Sequence, residues 1–220
     1  MRELELRQLV DFMLQGDDES AWNFISFSMN GKDRVYFYKE ILTEAMRYVG
    51  ELWELNEIKV ADEHIASNVC HLLIARQLAE LPKQNQIELS FKGMFFCIEE
   101  EEHSLGIRMV SSLFKEHGWN TRFLGANLPV KDAIIYANRW RPEVIGISVS
   151  IVYHLPKLIQ FLNEINQLVY EPEILVGGRI TSMFEIENYL PHNVQIVKDL
   201  NQLNQLLIES KLCKQLFENS

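Results

Sequence analysis

Cysteine is scarce in this 220-residue chain: Cys70, Cys97 and Cys213 stand far apart, with no paired spacing. So small a number argues against a disulfide framework, and the lack of paired spacing argues against a cysteine-based zinc site. Cys70 and Cys97 lie in apolar stretches and read as structural thiols of a reducing cytoplasm. Proline is sparse too. None of the six precedes Pro82, so nothing interrupts helices in the first third of the chain. Positive charge is in deficit, with 21 Lys and Arg against 31 Asp and Glu and a formal net charge of -10. A phosphate-neutralising surface, and with it direct nucleic-acid binding, is therefore disfavoured. No apolar run approaches the length of a membrane span, and the opening MRELELRQLVDFML is charged throughout, unlike a signal peptide. There is no internal repeat and no low-complexity segment. What is present is an ordinary soluble, globular composition, 47% hydrophobic and 24% charged, enough for one large core or two modest ones.

The hydrophobic period changes along the chain. Leu4, Leu6, Leu9, Val10 and Met13 recur at helical spacing. A short helix is expected over Ala21–Met29, a long one over Arg34–Glu54, and another over Val60–Leu81, with "NGKD" and "LNEI" as the breaks. These make a helical bundle over residues 1–85. Leu81–Gln86 reads as the linker. From residue 88 to 220, short apolar runs alternate with amphipathic stretches. The strands are expected at "KGMFFCI", "TRFLG", "EVIGISVS", "EILVGG" and "VQIV". The helices are expected at Ser104–Glu116, Val130–Trp140, Leu155–Leu168, Ser182–Tyr189 and from Leu200 onward. Such alternation predicts an α/β domain, a five-stranded parallel sheet covered on both faces, in the flavodoxin-like, Rossmann-like order 2-1-3-4-5.

In such a sheet, ligands bind at the carboxyl ends of the strands, near the point where the order reverses. The unusual residues fall there. "FFCIEEEEHSLG" carries the first strand into four glutamates, then His103 and Gly106. The third strand ends at Ser148 and Ser150, the fourth at Gly177 and Gly178. Each has a bland reading. His103 could be a surface residue, the glycine pair a turn, the serines caps of the next helix, and the glutamates beneficiaries of the positive end of the helix they precede.

Taken together, "EEHSLG", "SVS" and "GG" resemble the cobalamin (B12)-binding domain family, whose pattern is Asp-x-His-x-x-Gly, then Ser-x-Leu, then Gly-Gly. The resemblance implies that His103 replaces the cofactor's own dimethylbenzimidazole as the lower ligand of cobalt. Glu101 would hold the other imidazole nitrogen, Gly106 would allow close backbone approach, Ser148 would contact the displaced base, and Gly177 and Gly178 would flank it. Glu101 stands where aspartate is usual, and Ser150 where leucine is usual.

The helical half extends the likeness. Trp53, nine residues, then Glu63-His64 resembles the mark of the CarH-type B12-dependent photoreceptors. The resemblance implies that these three side chains enclose the 5′-deoxyadenosyl group over the upper face of cobalamin. Trp53 as a bundle core residue is the alternative. Some members place a histidine directly after the tryptophan, and here that residue is Glu54. The family's helix-turn-helix DNA-binding domain is not expected here. The implied function is an adenosylcobalamin-binding sensor module, light-responsive and without catalytic residues, which signals through a protein partner or self-association. The rival readings are a corrinoid carrier of a methyltransferase system, for which methylcobalamin is the cofactor, and a cofactor-free interaction module on the same scaffold.

Overall fold

The structure, a computed structural model, describes residues 2–29, 32–80, 91–165, 168, 170–186, 190–191 and 194–209. The expected linker at Leu81–Gln86 lies outside the described residues. The chain divides into two units, Met1–Pro82 and Lys83–Ser220.

The first unit is helical. Helix α1 (Glu3–Leu14) buries Leu9, Val10 and Met13, while Leu4 in its first turn stays exposed. Helix α2 (Asp18–Ser28) is capped by Asp17, whose carboxylate accepts the Ser20 N–H at 2.9 Å. Helix α3 runs over Arg34–Tyr36, Phe37–Thr43 and Glu44–Glu54, and its middle segment is π-helical. The wider turn brings Phe37, Tyr38, Ile41 and Leu42 all into the core, and the Thr43 hydroxyl donates to the Tyr38 carbonyl at 2.8 Å. Periodicity foresees one regular helix here, because a π turn shifts the buried face without breaking the pattern. Asn56, with φ 60°, ends the run, and α4 (Val60–Ala79) follows at once, its first turn held by Asp62 accepting the Lys59 N–H at 2.8 Å.

The second unit is a parallel sheet of β1 (Lys92–Ile98), β2 (Asn120–Leu128), β3 (Val144–Ser148), β4 (Glu173–Gly177) and β5 (Val194–Ile196), in the order β2-β1-β3-β4-β5. That is the expected order. Met94, Phe96 and Ile98 of β1 join Ile145, Ile147, Ile174 and Val176 in one core, covered by α6 (Val130–Trp140) and α7 (Leu155–Ile165). The other face packs under α5 (Leu105–Glu116), with α9 (Leu200–Glu209) beside it. There the Phe95 ring meets Phe114 at 4.8 Å between centroids and lies over Gly93 and Gly146, where a Cβ would come within 2.7 and 2.5 Å of it. One strand therefore has bulky residues on both faces, as a buried parallel strand must.

One expected element is displaced. Helix α8 spans Arg179–Met183 and not Ser182–Tyr189, and Phe184 is already extended. The cause lies at Gly178: its φ of 118° turns β4 directly into a helix, which starts three residues earlier than the apolar pattern suggests. Residues 187–189 lie outside the described residues. No described helix is long and apolar enough to cross a membrane.

Candidate functional site

The carboxyl edge of the sheet is built by three strand ends in register. Cys97, Ser148 and Gly177 are paired neighbours across β1, β3 and β4 and point to the α5 face, so the last row of the sheet carries only short side chains or none. At the next position Gly178 has no room for a side chain at all: a Cβ would stand 2.2 Å from the Val149 carbonyl oxygen. Gly106, in the first turn of α5, is the opposite case. It is exposed, and a Cβ there would meet no atom within 4 Å, so the protein's own packing does not demand a glycine.

The four glutamates after β1 resolve into distinct tasks. Glu99 pairs with Lys157 at 2.8 Å and accepts the Val130 N–H at 3.3 Å, so the helix it serves is α6 and not the one it precedes. Lys157 and that N–H hold its carboxyl below the ordinary range. Glu100 has φ 73°, and its N–H donates to Asn127 Oδ1 at 2.8 Å, while the Asn127 amide donates to Glu102 at 2.9 Å. Asn127, which sequence reasoning passed over, thus fastens the loop from the end of β2.

Glu101 is the centre of the site. It is completely buried, and four N–H groups surround its carboxylate. Oε1 accepts the His103 backbone N–H at 3.0 Å and faces His103 Nδ1 at 2.5 Å. Oε2 accepts the Ser150 N–H at 2.7 Å and faces His154 Nδ1 at 3.2 Å. Burial alone would push this carboxyl up, but the bonds from the His103 ring, the His103 N–H and the Ser150 N–H reverse that and hold it at about 2. Glu101 is therefore ionised at neutral pH, and the imidazole nitrogen facing it carries the proton. Nε2 of His103 lies on the side of the ring away from Glu101, and the side chain is 64% exposed. A lone imidazole of this kind suits a metal that brings its remaining ligands with it. Among the described residues no group of three or more His, Cys, Asp or Glu could hold a bare ion. Cys97, just beneath, is no competing ligand: burial, then the Glu101 charge, pushes its thiol up to about 12.

Ser148 is buried beside Cys97, and Ser150 is partly buried. Neither is a helix cap. Ser150 contributes its backbone N–H to Glu101, a role that any residue except proline could fill at that position. His154 was missed by sequence reasoning. Its only sequence signal is a second histidine a few residues beyond a strand's carboxyl end.

In the helical unit, Trp53 is not a core residue. The residue is 49% exposed, and Trp22, packed against Phe37 and under Arg76, is the buried indole. Trp53 closes the last turns of α3, and Glu63 and His64 open α4, so the nine-residue spacing spans one helix end, the Asn56 turn and one helix start. Glu63 accepts the Ser67 hydroxyl at 2.7 Å and lies 3.7 Å from His64 Nε2, and the His64 side chain is 70% exposed. Glu54 is also exposed.

Residues 5–76 and 92–197 each match a family described as a B12 binding domain. This is a chain of two B12-binding domains. The CarH transcriptional repressor of Myxococcus xanthus is 27% identical over 111 residues, half of this chain and 36% of its own length. The chain thus spans about a third of that relative. Trimethylamine corrinoid protein 1 of Methanosarcina mazei is 23% identical over 172 residues, 76% of this chain and 80% of its own length. The structure of the Methanosarcina barkeri monomethylamine corrinoid protein superposes with a TM-score of 0.73 at 17% identity, covering 92% of this chain and 96% of that one. The likeness at that level is one of fold. The B12-binding chain therefore takes cobalamin as its cofactor, and it is similar both to a repressor and to a trimethylamine corrinoid protein.

Proposed function

We propose that this B12-binding chain is an adenosylcobalamin sensor module that responds to light. On this reading His103 would hold the cobalt of the cofactor, and Glu101 would fix its tautomer. Gly106 and the short row of Cys97, Ser148 and Gly177 leave room for the displaced base, with Gly178 beside them. Trp53, Glu63 and His64 enclose the adenosyl group. The carrying observation is the half-exposed Trp53: the bundle does not use this indole as core, which leaves its face available to a ligand. The bound cofactor would supply the light-labile upper group that Trp53, Glu63 and His64 enclose. The arrangement that favoured it loses its ligand, and the equilibrium between conformations shifts. The output then passes through a protein partner or self-association. Glu54 after Trp53 means that no imidazole at that position replaces the lost group.

A second reading is supported by chain coverage. The trimethylamine corrinoid protein matches over most of both chains, which favours a carrier that presents methylcobalamin to partner enzymes. One experiment separates the two. The apoprotein is titrated in darkness with adenosylcobalamin and with methylcobalamin, then illuminated while absorbance and sedimentation are followed. The sensor reading expects tighter adenosylcobalamin binding and a light-dependent change in sedimentation. Preference for the methyl form, with sedimentation unmoved by light, supports the carrier. Binding of neither leaves only a cofactor-free interaction module.

A further inference from the structure

We propose that the β2–α6 face of the sheet unit docks a carboxylate-rich segment of a partner protein, gripped by Arg122 and Arg139. The inference goes beyond the cofactor reading and stands without it. Strand β2 closes one edge of the sheet, with β1 as its neighbour. Arg122 stands on that strand and is exposed. Its guanidinium lies over two rings of α6, 4.5 Å from the Trp140 centroid and 5.7 Å from that of Tyr136, and it donates to the Tyr136 hydroxyl. Arg139, also exposed, lies over Tyr136 at 5.2 Å. The two rings sit on successive turns of α6, 6.2 Å apart. Arg122 is in register with Met94, near the start of both strands. The patch therefore lies toward their amino ends, and docking there leaves the edge that carries His103 clear.

The charge is out of keeping with the chain, which has 21 Lys and Arg against 31 Asp and Glu. Between Asn120 and Arg141 the balance reverses: Arg122, Lys131, Arg139 and Arg141 stand against a single acid, Asp132. Arg2, Arg7 and Arg47 each pair with a nearby glutamate. Among the described residues neither Arg122 nor Arg139 has a carboxylate partner; each has a ring instead. A guanidinium held against a ring loses little freedom on binding and keeps in-plane N–H donors that a carboxylate can take two at a time. Ile135, one turn before Arg139, is 55% exposed and adds an apolar contact. Stacked bases are a poor fit, since the rings already carry guanidinium groups. A long polyphosphate or an anionic bilayer also meets the repulsion of the whole chain, whereas a short run of carboxylates meets the patch within a screening length of about 10 Å.

The test uses the full chain and fluorescein-labelled poly-L-glutamate as the probe, followed by anisotropy at low salt. Thermal melts of every variant check folding. A protein of net charge -10 binds such a polyanion only through a locally cationic site. Three doubly substituted proteins are compared with wild type: Arg122→Gln with Arg139→Gln, Arg122→Lys with Arg139→Lys, and Arg7→Gln with Arg47→Gln. Wild type should bind, more weakly as salt rises, and the glutamine pair at 122 and 139 should bind at least about tenfold more weakly. The lysine pair keeps the charge and loses the planar fork, and should fall about threefold or more. The pair at 7 and 47 changes net charge as much as the first and should stay within about twofold of wild type. No binding by wild type overturns the proposal. So does equal weakening by the substitutions at 7 and 47, or a lysine pair as tight as wild type. Tighter binding of a single-stranded oligonucleotide or of phosphatidylserine vesicles, lost in the glutamine pair, would give the face to nucleic acid or membrane instead. If the glutamine pair does not fold, the lysine pair decides.

Discussion

At the scale of single residues, the account turns on a carboxylate that stays charged inside the protein. Glu101 is held at about 2 against an ordinary value of 4.5. A depressed acid stabilises the folded state above its unfolded value and loses that contribution as pH falls through its folded value. Urea unfolding of the apoprotein should therefore show the stability advantage of wild type over Glu101→Gln shrinking between about pH 4.5 and 2. A constant difference across that range would mean that the charge is not what the four N–H groups hold. The same substitution should weaken cobalamin binding by about 10–100-fold in a spectrophotometric titration, the usual scale for losing the partner of a metal-bound histidine. Glu101 and His103 were legible as a pair from two positions' spacing. His154 was not: it comes from a different strand end 53 residues on, and only the folded chain brings it to the same carboxylate.

At the scale of elements, two glycines that look alike in sequence have opposite physics. Gly178 combines φ 118° with a Cβ position 2.2 Å from the Val149 carbonyl. Gly178→Ala should cost about 1–3 kcal/mol or more in chemical unfolding. Gly106 has open space around it on a helix, so Gly106→Ala should leave stability unchanged or raise it by up to about 1 kcal/mol. Yet it should weaken cobalamin uptake, because the added methyl occupies room reserved for something outside the protein. An alanine at position 106 that binds as wild type does would show that the space has no ligand role. The elements themselves were largely readable. Buried strands stood out as apolar runs, and α5, α6 and α7 as amphipathic stretches. Two features escaped: the π turn of α3, which preserves the helical pattern while shifting its register, and the early start of α8, set by one backbone torsion. Both depend on local geometry that residue type encodes weakly.

At the scale of the whole molecule, alternation calls for a parallel sheet, and the flavodoxin-like order expected at this size places the switch point, and with it the edge where His103, Ser148 and Gly177 gather. The assignment of Trp53, Glu63 and His64 to the upper group rests on spacing and on the exposure of the indole, since a helical period cannot tell a ligand-facing tryptophan from a core one. Everything in the account depends on the protein supplying the lower nitrogen of a bound corrinoid. The most direct measurement is the paramagnetic resonance spectrum of cob(II)alamin on the 15N-histidine-labelled chain, taken beside His103→Ala. The account predicts a two-line nitrogen splitting that disappears in the variant. A three-line splitting in both proteins, from the cofactor's own base still seated on cobalt, would contradict it.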